Sequence, residues 1–404
     1  MPWHQTDPVN ERLKFVAAAQ EGSYSMTELC ARFGISRRTG YKILRRYKET
    51  GPEGLRDCSR APRSHPNRTS PEMEKSILVV RKRHPTWGSK KILAVLRRES
   101  ASDDFPVRST VDQVLKRAGL VSPRKRGRAR CAPRSAPVVE ANGPNDAWSI
   151  DYKGWFRVGD GTRCDPLTVN DVFSRTSLEC RALVRPKLED VQRRLEQLFR
   201  GVGMPLMMLS DNGPPFGARG IGGLSRLGVW LLKLGIQPVF IQPGHPEQNG
   251  RHERFHETLK AETASPPRAT IRAQQYAFDG FMGCYNDERP HEALDMRTPS
   301  ELYEASEREM PWRAPEFEYD ELFELRRVRS DGAIKWEGGL IFVGSAMAGE
   351  LVGIKPDGER DWHLYVGSMR LGRLHEDSGL VLPIIESAEE SESVTHVPGQ
   401  ATDD

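Results

Sequence analysis

The 404-residue chain contains no apolar run near the roughly 18 residues a membrane span requires. Its first residues, MPWHQTDPVNERLKF, lack a basic stretch followed by an apolar core, which argues against a secretory leader. Six cysteines (Cys30, Cys58, Cys131, Cys164, Cys180 and Cys284) are scattered and form no C-x-x-C pair. That spacing indicates neither a disulfide scaffold nor a cysteine zinc site, and a reduced, cytoplasmic compartment with no membrane partner is expected.

What is present is an uneven charge. Residues 1–135 carry 30 Lys and Arg against 13 Asp and Glu, whereas the remainder carries 30 against 43. The net charge of +4 therefore conceals a basic N-terminal third suited to a polyanion.

Residues 9–50 read as three short helices. In NERLKFVAAAQEG, residues Leu13, Val16, Ala17 and Gln20 recur at helical spacing. MTELCARFG comes next, with Gly34 suited to a left-handed helix end and Ser36 to the N-cap of SRRTGYKILRRYKETG. A short helix, a tight turn and a longer basic helix make a helix-turn-helix, with Arg37, Arg38, Tyr41, Lys42 and Arg45 as candidate DNA contacts. A second three-helix unit lies beyond a basic linker at 53–70, with Lys90 and Lys91 as further candidates. Modules are thus expected at 1–52 and 71–121 (the second a helix-turn-helix or winged helix), with a Pro-rich basic linker at 122–145.

From residue 146 the texture changes. DAWSIDYKGWFRV, RCDPLTVNDVFSR and TSLECRALV read as three antiparallel strands. After them come a helix (KLEDVQRRLEQLFRG), a strand (MPLMMLSDNG), a helix (GLSRLGVWLLKLG), a strand (QPVFIQ) and a long helix from about Pro246. That is the element order of a ribonuclease H-like α/β domain, assigned to 146–305. Strands and Asp-Gly turns beyond it predict a small antiparallel β-barrel at 312–375. Residues 376–404, with eight acidic residues and no Lys or Arg, read as a disordered acidic tail.

Three carboxylates stand where chemistry is expected: Asp151 in the first core strand, Asp211 after the apolar run MPLMML, and Glu247 at the start of the long helix. Grouped carboxylates are costly to bury without cations, and hard Mg²⁺ is their usual partner. The spacing Asp211–x35–Glu247 is uninformative in a chain with 56 acidic residues; the flanking words carry the information. WSIDYKGWF, LSDNGPPF, PGHPEQNGRHERFHETLK and YNDERPHEALDMRTPSELY, in this order, resemble the catalytic core of bacterial insertion-sequence transposases and retroviral-type integrases, the D,D-35-E enzymes. The resemblance covers about 140–305. It implies Asp151, Asp211 and Glu247 as the metal triad, Asn212 and His245 as lining residues, and two Mg²⁺ ions, with Mn²⁺ as a substitute. It further implies double-stranded DNA partners (terminal inverted repeats and target DNA), a homo-oligomer on DNA, and action at the bacterial nucleoid. Unlike retroviral integrases, the chain has no His-His-Cys-Cys zinc domain ahead of the core.

One motif competes. HERFH at 252–256 matches H-E-x-x-H, the zinc-hydrolase signature. At about 100° per residue from Glu247, Arg251 and Arg254 share the glutamate's face, and His252 and His256 fall opposite, beside Phe255 and Leu259. The histidines are expected to pack, and the two arginines to face a DNA backbone. A zinc hydrolase, a DNA-binding regulator with an inactive core, and a nuclease that cuts without joining are the rival readings.

Overall fold

The computed structural model describes residues 7–57, 59, 69–100, 104–121, 139–185, 187–218, 220–242, 245–357, 361–375 and 381–383. Most of both basic linkers and nearly all of the expected acidic tail lie outside these residues. The chain divides into two compact units, 1–70 and 71–404.

In the first unit, α1 (Pro8–Glu21), α2 (Met26–Arg32) and α3 (Arg37–Thr50) enclose a core of Phe15, Val16, Leu29, Cys30, Ile43 and Leu55. Gly34 is left-handed at φ +63°, and Ser36 caps α3 by accepting from the Thr39 amide at 3.2 Å. The expected stripe of α1 is displaced: Leu13 and Ala17 are exposed, and Phe15 and Val16 are buried. The bulk of Phe15 decides this, because its ring meets Phe33 edge-on at 5.4 Å. Gly40 lets α3 approach closely, since a Cβ there would lie 2.6 Å from Cys30 Sγ and 2.9 Å from Phe15 Cζ.

The second unit opens with α4 (Pro71–Arg83), α5 (Ser89–Glu99) and α6 (Arg108–Arg117), packed around Ile77, Trp87, Ile92 and Val111. Lys90 and Arg98 tie this bundle to the C-terminal part of the same unit by ion pairs with Glu292 and Glu301, and His84 lies 3.4 Å from Glu288.

The central sheet comprises β1 (Ala147–Tyr152), β2 (Phe156–Arg157), β3 (Arg163–Asp171) and β4 (Ser177–Leu183), then α7 (Leu188–Val202), β5 (Met207–Ser210), α8 (Arg226–Lys233) and β6 (Gln237–Phe240). Its path runs β2-β3-β1-β5-β6, with β4 also on β3; β1 is antiparallel to β3 and parallel to β5. One face packs α7 through Val191, Leu195 and Phe199 and α8 through Leu227 and Leu231. α9 (Gly250–Thr263) and α10 (Ile271–Gly283) cover another patch, where Phe255, Leu259, Phe278 and Phe281 pack with Cys164 and Cys180. The helix expected from Pro246 begins as a separate 3-10 turn, Pro246–Asn249, ahead of α9.

The remaining strands are β7 (Glu324–Arg327), β8 (Ala333–Trp336), β9 (Gly339–Phe342), β10 (Leu351–Pro356), β11 (Asp361–Val366), β12 (Met369–His375) and β13 (Val381–Pro383). They do not close into the expected barrel. Five form an open sheet ordered β13-β12-β11-β10-β7, and β8 pairs only with β9. The reason is that this sheet has another surface to bury: Val352, Ile354, Leu364 and Leu371 share a core with Leu224, Val229 and Leu232 of the central domain. No helix among the described residues is long and apolar enough to cross a membrane.

Candidate active site

Asp151 lies near the end of β1, and Asp211 directly succeeds β5. These strands are parallel neighbours in which Ser149 faces Leu209, so the two carboxylates occupy equivalent positions two residues further on. They stand at the C-terminal edge of the sheet, where open α/β sheets bind ligands. The electrostatic consequence is direct. Burial, then the charge on Asp211, pushes the Asp151 carboxyl up to about 7, and Glu253 adds to the effect.

Short polar contacts hold this edge. Asn249 Nδ2 donates to Asp151 Oδ2 at 2.9 Å, and Asp211 Oδ1 accepts from the Gly213 amide at 3.1 Å. Asn212 Nδ2 donates to the Ile241 carbonyl at 2.7 Å, tying the loop after β5 to the end of β6. His245 is exposed in the loop beyond β6, where its amide donates to the Gln242 carbonyl at 3.0 Å.

α9 supplies the rest. Asn249, Glu253 and His256 have the i, i+4, i+7 spacing of one helical face. Asn249 touches Asp151 itself, and His256 reaches Thr168, the register partner of Asp151 on β3. Glu253 lies between them in the first turn of α9, and its charge acts on Asp151. The side chain of Glu247, on the preceding 3-10 turn, lies outside the described residues.

The HERFH histidines converge, but on a hydroxyl. Thr168 Oγ1 lies 2.6 Å from His252 Nε2 and 2.8 Å from His256 Nε2, and it donates to the Asp151 carbonyl at 3.1 Å. Thr168 has one proton, so donating it requires both Nε2 atoms to be the donors toward Oγ1. Ser149 Oγ, 2.9 Å from His252 Nδ1, is then the donor there. Burial holds His252 well below the usual imidazole range and brings His256 down to about 3, so both rings are neutral. Although Asp151, His252 and His256 each offer an atom within 4.8 Å of the others, both Nε2 positions are committed to Thr168.

Comparison with known proteins bears on this arrangement. Two integrase core domain models match residues 141–246 and 234–299, a helix-turn-helix domain matches 11–63, and a homeodomain-like domain matches 39–115. The "uncharacterized 31.7 kDa protein" of insertion element IS407 from Burkholderia multivorans is 27% identical over 54% of this chain and 75% of its own length. Transposase InsD of insertion element IS2 from Escherichia coli is 25% identical over 54% of this chain and 73% of its own. A solved simian T-cell lymphotropic virus intasome chain aligns with 71% of this chain and 92% of its own, at 16% identity and a TM-score of 0.36. By these matches the chain is similar to the insertion-element transposases of the integrase-like superfamily.

The expected DNA contacts of this chain divide into two groups. Arg37, Arg38, Tyr41, Lys42 and Arg45 are exposed along one face of α3, opposite buried Gly40 and Ile43. Arg251 and Arg254 are exposed on α9, while His252, Phe255 and Leu259 are buried, as helical periodicity predicts. Lys90 and Lys91 do not share that freedom. Lys90 pairs with Glu292, and Lys91 is desolvated and brought down to about 8.

Asp171 is a turn cap, accepting from the Ser174 amide and hydroxyl at 2.7 Å each. Sequence reasoning did not single out Glu253, Asn249 or Thr168, which surround Asp151. Glu253 was hidden because it sat inside the H-E-x-x-H motif. Its i+4 relation to Asn249 was the available signal.

Proposed function

We propose that Asp151, Asp211 and Glu253 form the metal-binding carboxylate set of this transposase, replacing the Asp211–x35–Glu247 spacing by Asp211–x41–Glu253. The supporting observation is the convergence of charge from Asp211 and Glu253 on half-buried Asp151. Such a group is costly without cations, and its all-oxygen donor set fits hard divalent Mg²⁺. Two Mg²⁺ ions, or Mn²⁺ in their place, would supply charge neutralisation and Lewis acidity at a phosphodiester.

The chain's own residues position the reaction. Asn249 and the Gly213 amide each hold one carboxylate oxygen, which leaves the others for ligation. Asn212 and His245 border the edge, and Arg254 is aimed at a DNA backbone. The exposed face of α3 binds the terminal inverted repeats, and a homo-oligomer pairs two such ends on nucleoid DNA. In cleavage, a water oxygen bonds to phosphorus and the 3′ oxygen leaves as a free hydroxyl. In strand transfer, that hydroxyl attacks a target phosphodiester and displaces the target's 3′ oxygen. No side chain becomes bonded to DNA.

The test is a Mg²⁺-dependent nicking assay on DNA carrying the element's end. Asp151→Asn, Asp211→Asn and Glu253→Gln are each expected to lose more than about 100-fold activity, and Glu247→Gln to stay near wild type. The reverse result for the two glutamates returns the assignment to Glu247. Absence of nicking by the wild type favours the regulator reading, and nicking without joining of a pre-cut end favours the nuclease.

A further inference from the structure

A small cavity borders Asn249, the residue that donates to Asp151 Oδ2. Asn170, Arg175, Asn249, Arg251 and His252 line it, with Tyr285 against them. Its free volume is about 40 Å³. A buried water occupies roughly 10–15 Å³ on that measure, so the space suits one tetrahedral oxyanion and is too small for a nucleobase.

Its charged lining is two cations, Arg175 and Arg251, against one carboxylate, Asp171, with Val172, Leu209 and Phe255 on the apolar side. Arg175 sits in the turn between β3 and β4 at φ +67°, and its buried Nε has no hydrogen-bond partner. The carboxylate of its own turn is occupied elsewhere: Asp171 Oδ1 accepts from the Asn145 amide at 2.9 Å and Oδ2 from Ser174. Burial, then the charges of Arg251 and Arg254 on α9, brings the Arg175 guanidinium down to about 10. Among the described residues, none of these three arginines forms an ion pair. A desolvated cation left unpaired is costly, and a bound anion removes that cost. The guanidinium fork also matches phosphate geometry.

We propose that Arg175 and Arg251 form a seat for a single phosphate of the DNA strand lying across the carboxylate edge. This rests on the transposase reading, and it adds a contact point that the helix-turn-helix does not provide. Asn249 connects the two places, since it lines the cavity and holds Asp151 Oδ2.

The experiment measures binding of full-length protein to an end-containing duplex at several salt concentrations. Neutralising one phosphate contact lowers the slope of log K against log salt by about 0.9. Arg175→Gln, Arg251→Gln and the double variant are each expected to lower it by about that single amount, because both side chains serve one phosphate. Inorganic phosphate, at ionic strength matched with chloride, should raise the Tm of the wild type and not of the double variant. Because Arg251 is exposed on α9, its variant keeps the test valid if Arg175→Gln fails to fold. Unchanged slopes with wild-type nicking intact overturn the seat and leave the carboxylate assignment standing. A lowered slope with no wild-type nicking does the opposite. A wild type that does not bind the duplex overturns both.

Discussion

The two N-terminal helical bundles look alike in sequence and differ in how their basic residues are used. Both have three short helices rich in Lys and Arg. On α3, Arg37, Arg38 and Lys42 are exposed and, among the described residues, have no carboxylate partner. On α4–α6 and their turns, His84, Lys90 and Arg98 meet Glu288, Glu292 and Glu301 of the catalytic unit. Thr86 also donates across the same seam to Glu262, at 2.5 Å, beside Arg289, which pairs with Glu262 at 2.8 Å on its own side. The lesson is that a basic helix indicates DNA only when its charges are not already neutralised by protein.

The sharpest way to break this comparison is to remove charge from each bundle in turn. The triple variant Arg37→Ala/Arg38→Ala/Lys42→Ala should weaken end-DNA binding by at least about 100-fold, since each such contact contributes roughly 1–3 kcal/mol. Retained affinity in a gel-shift titration would remove α3 as the reading helix.

Packing offers a second contrast. Gly40→Ala must push Cys30 and Phe15 apart, at a cost of about 1–3 kcal/mol for overpacking. Gly88, which caps α5, has nothing within 4 Å of an added Cβ, so Gly88→Ala should change stability by less than about 0.5 kcal/mol. Denaturant melts of both variants check the pair.

Neutralising the second bundle should have a smaller effect and a different readout. Lys90→Ala and Arg98→Ala each break a partly exposed pair and should cost under about 1 kcal/mol of stability, with DNA affinity unchanged. A loss of affinity comparable to that of the α3 variant would return Lys90 to the DNA-binding set.

The smallest effect is in pH. Lys91 is brought down to about 8 by burial, so above that pH the folded state has released a proton that the unfolded chain still holds. Its contribution therefore becomes more favourable as pH rises from about 8 toward the ordinary lysine value of about 10.4. The stability difference between wild type and Lys91→Met should shift toward the wild type over that range. A difference that is flat with pH would show Lys91 to be solvated.

Much of this molecule was legible along the chain. Asp151 and Asp211 stood out because an acid in or after an apolar strand has few structural uses, and Ser36 and Gly34 announced their turn by residue type. His252 and His256 were readable as packing groups because helical periodicity set them beside Phe255 and Leu259. Glu253, the third carboxylate we propose, was less accessible. The expected helix phase began at Glu247, but a 3-10 turn occupies 246–249, and i-to-i+4 logic starts to apply only with α9.

Local chemistry along the chain was enough to determine most helices and strands, their sequence along the chain and two acids at strand ends, because periodicity, caps and turns act over a few residues. Tertiary structure alone decided that the charge of Glu253 acts on Asp151, which cations remain exposed, and that the last strands form an open sheet against α8. Those outcomes depend on which surfaces and charges from distant segments meet, and burial and Coulomb energy are properties of that meeting.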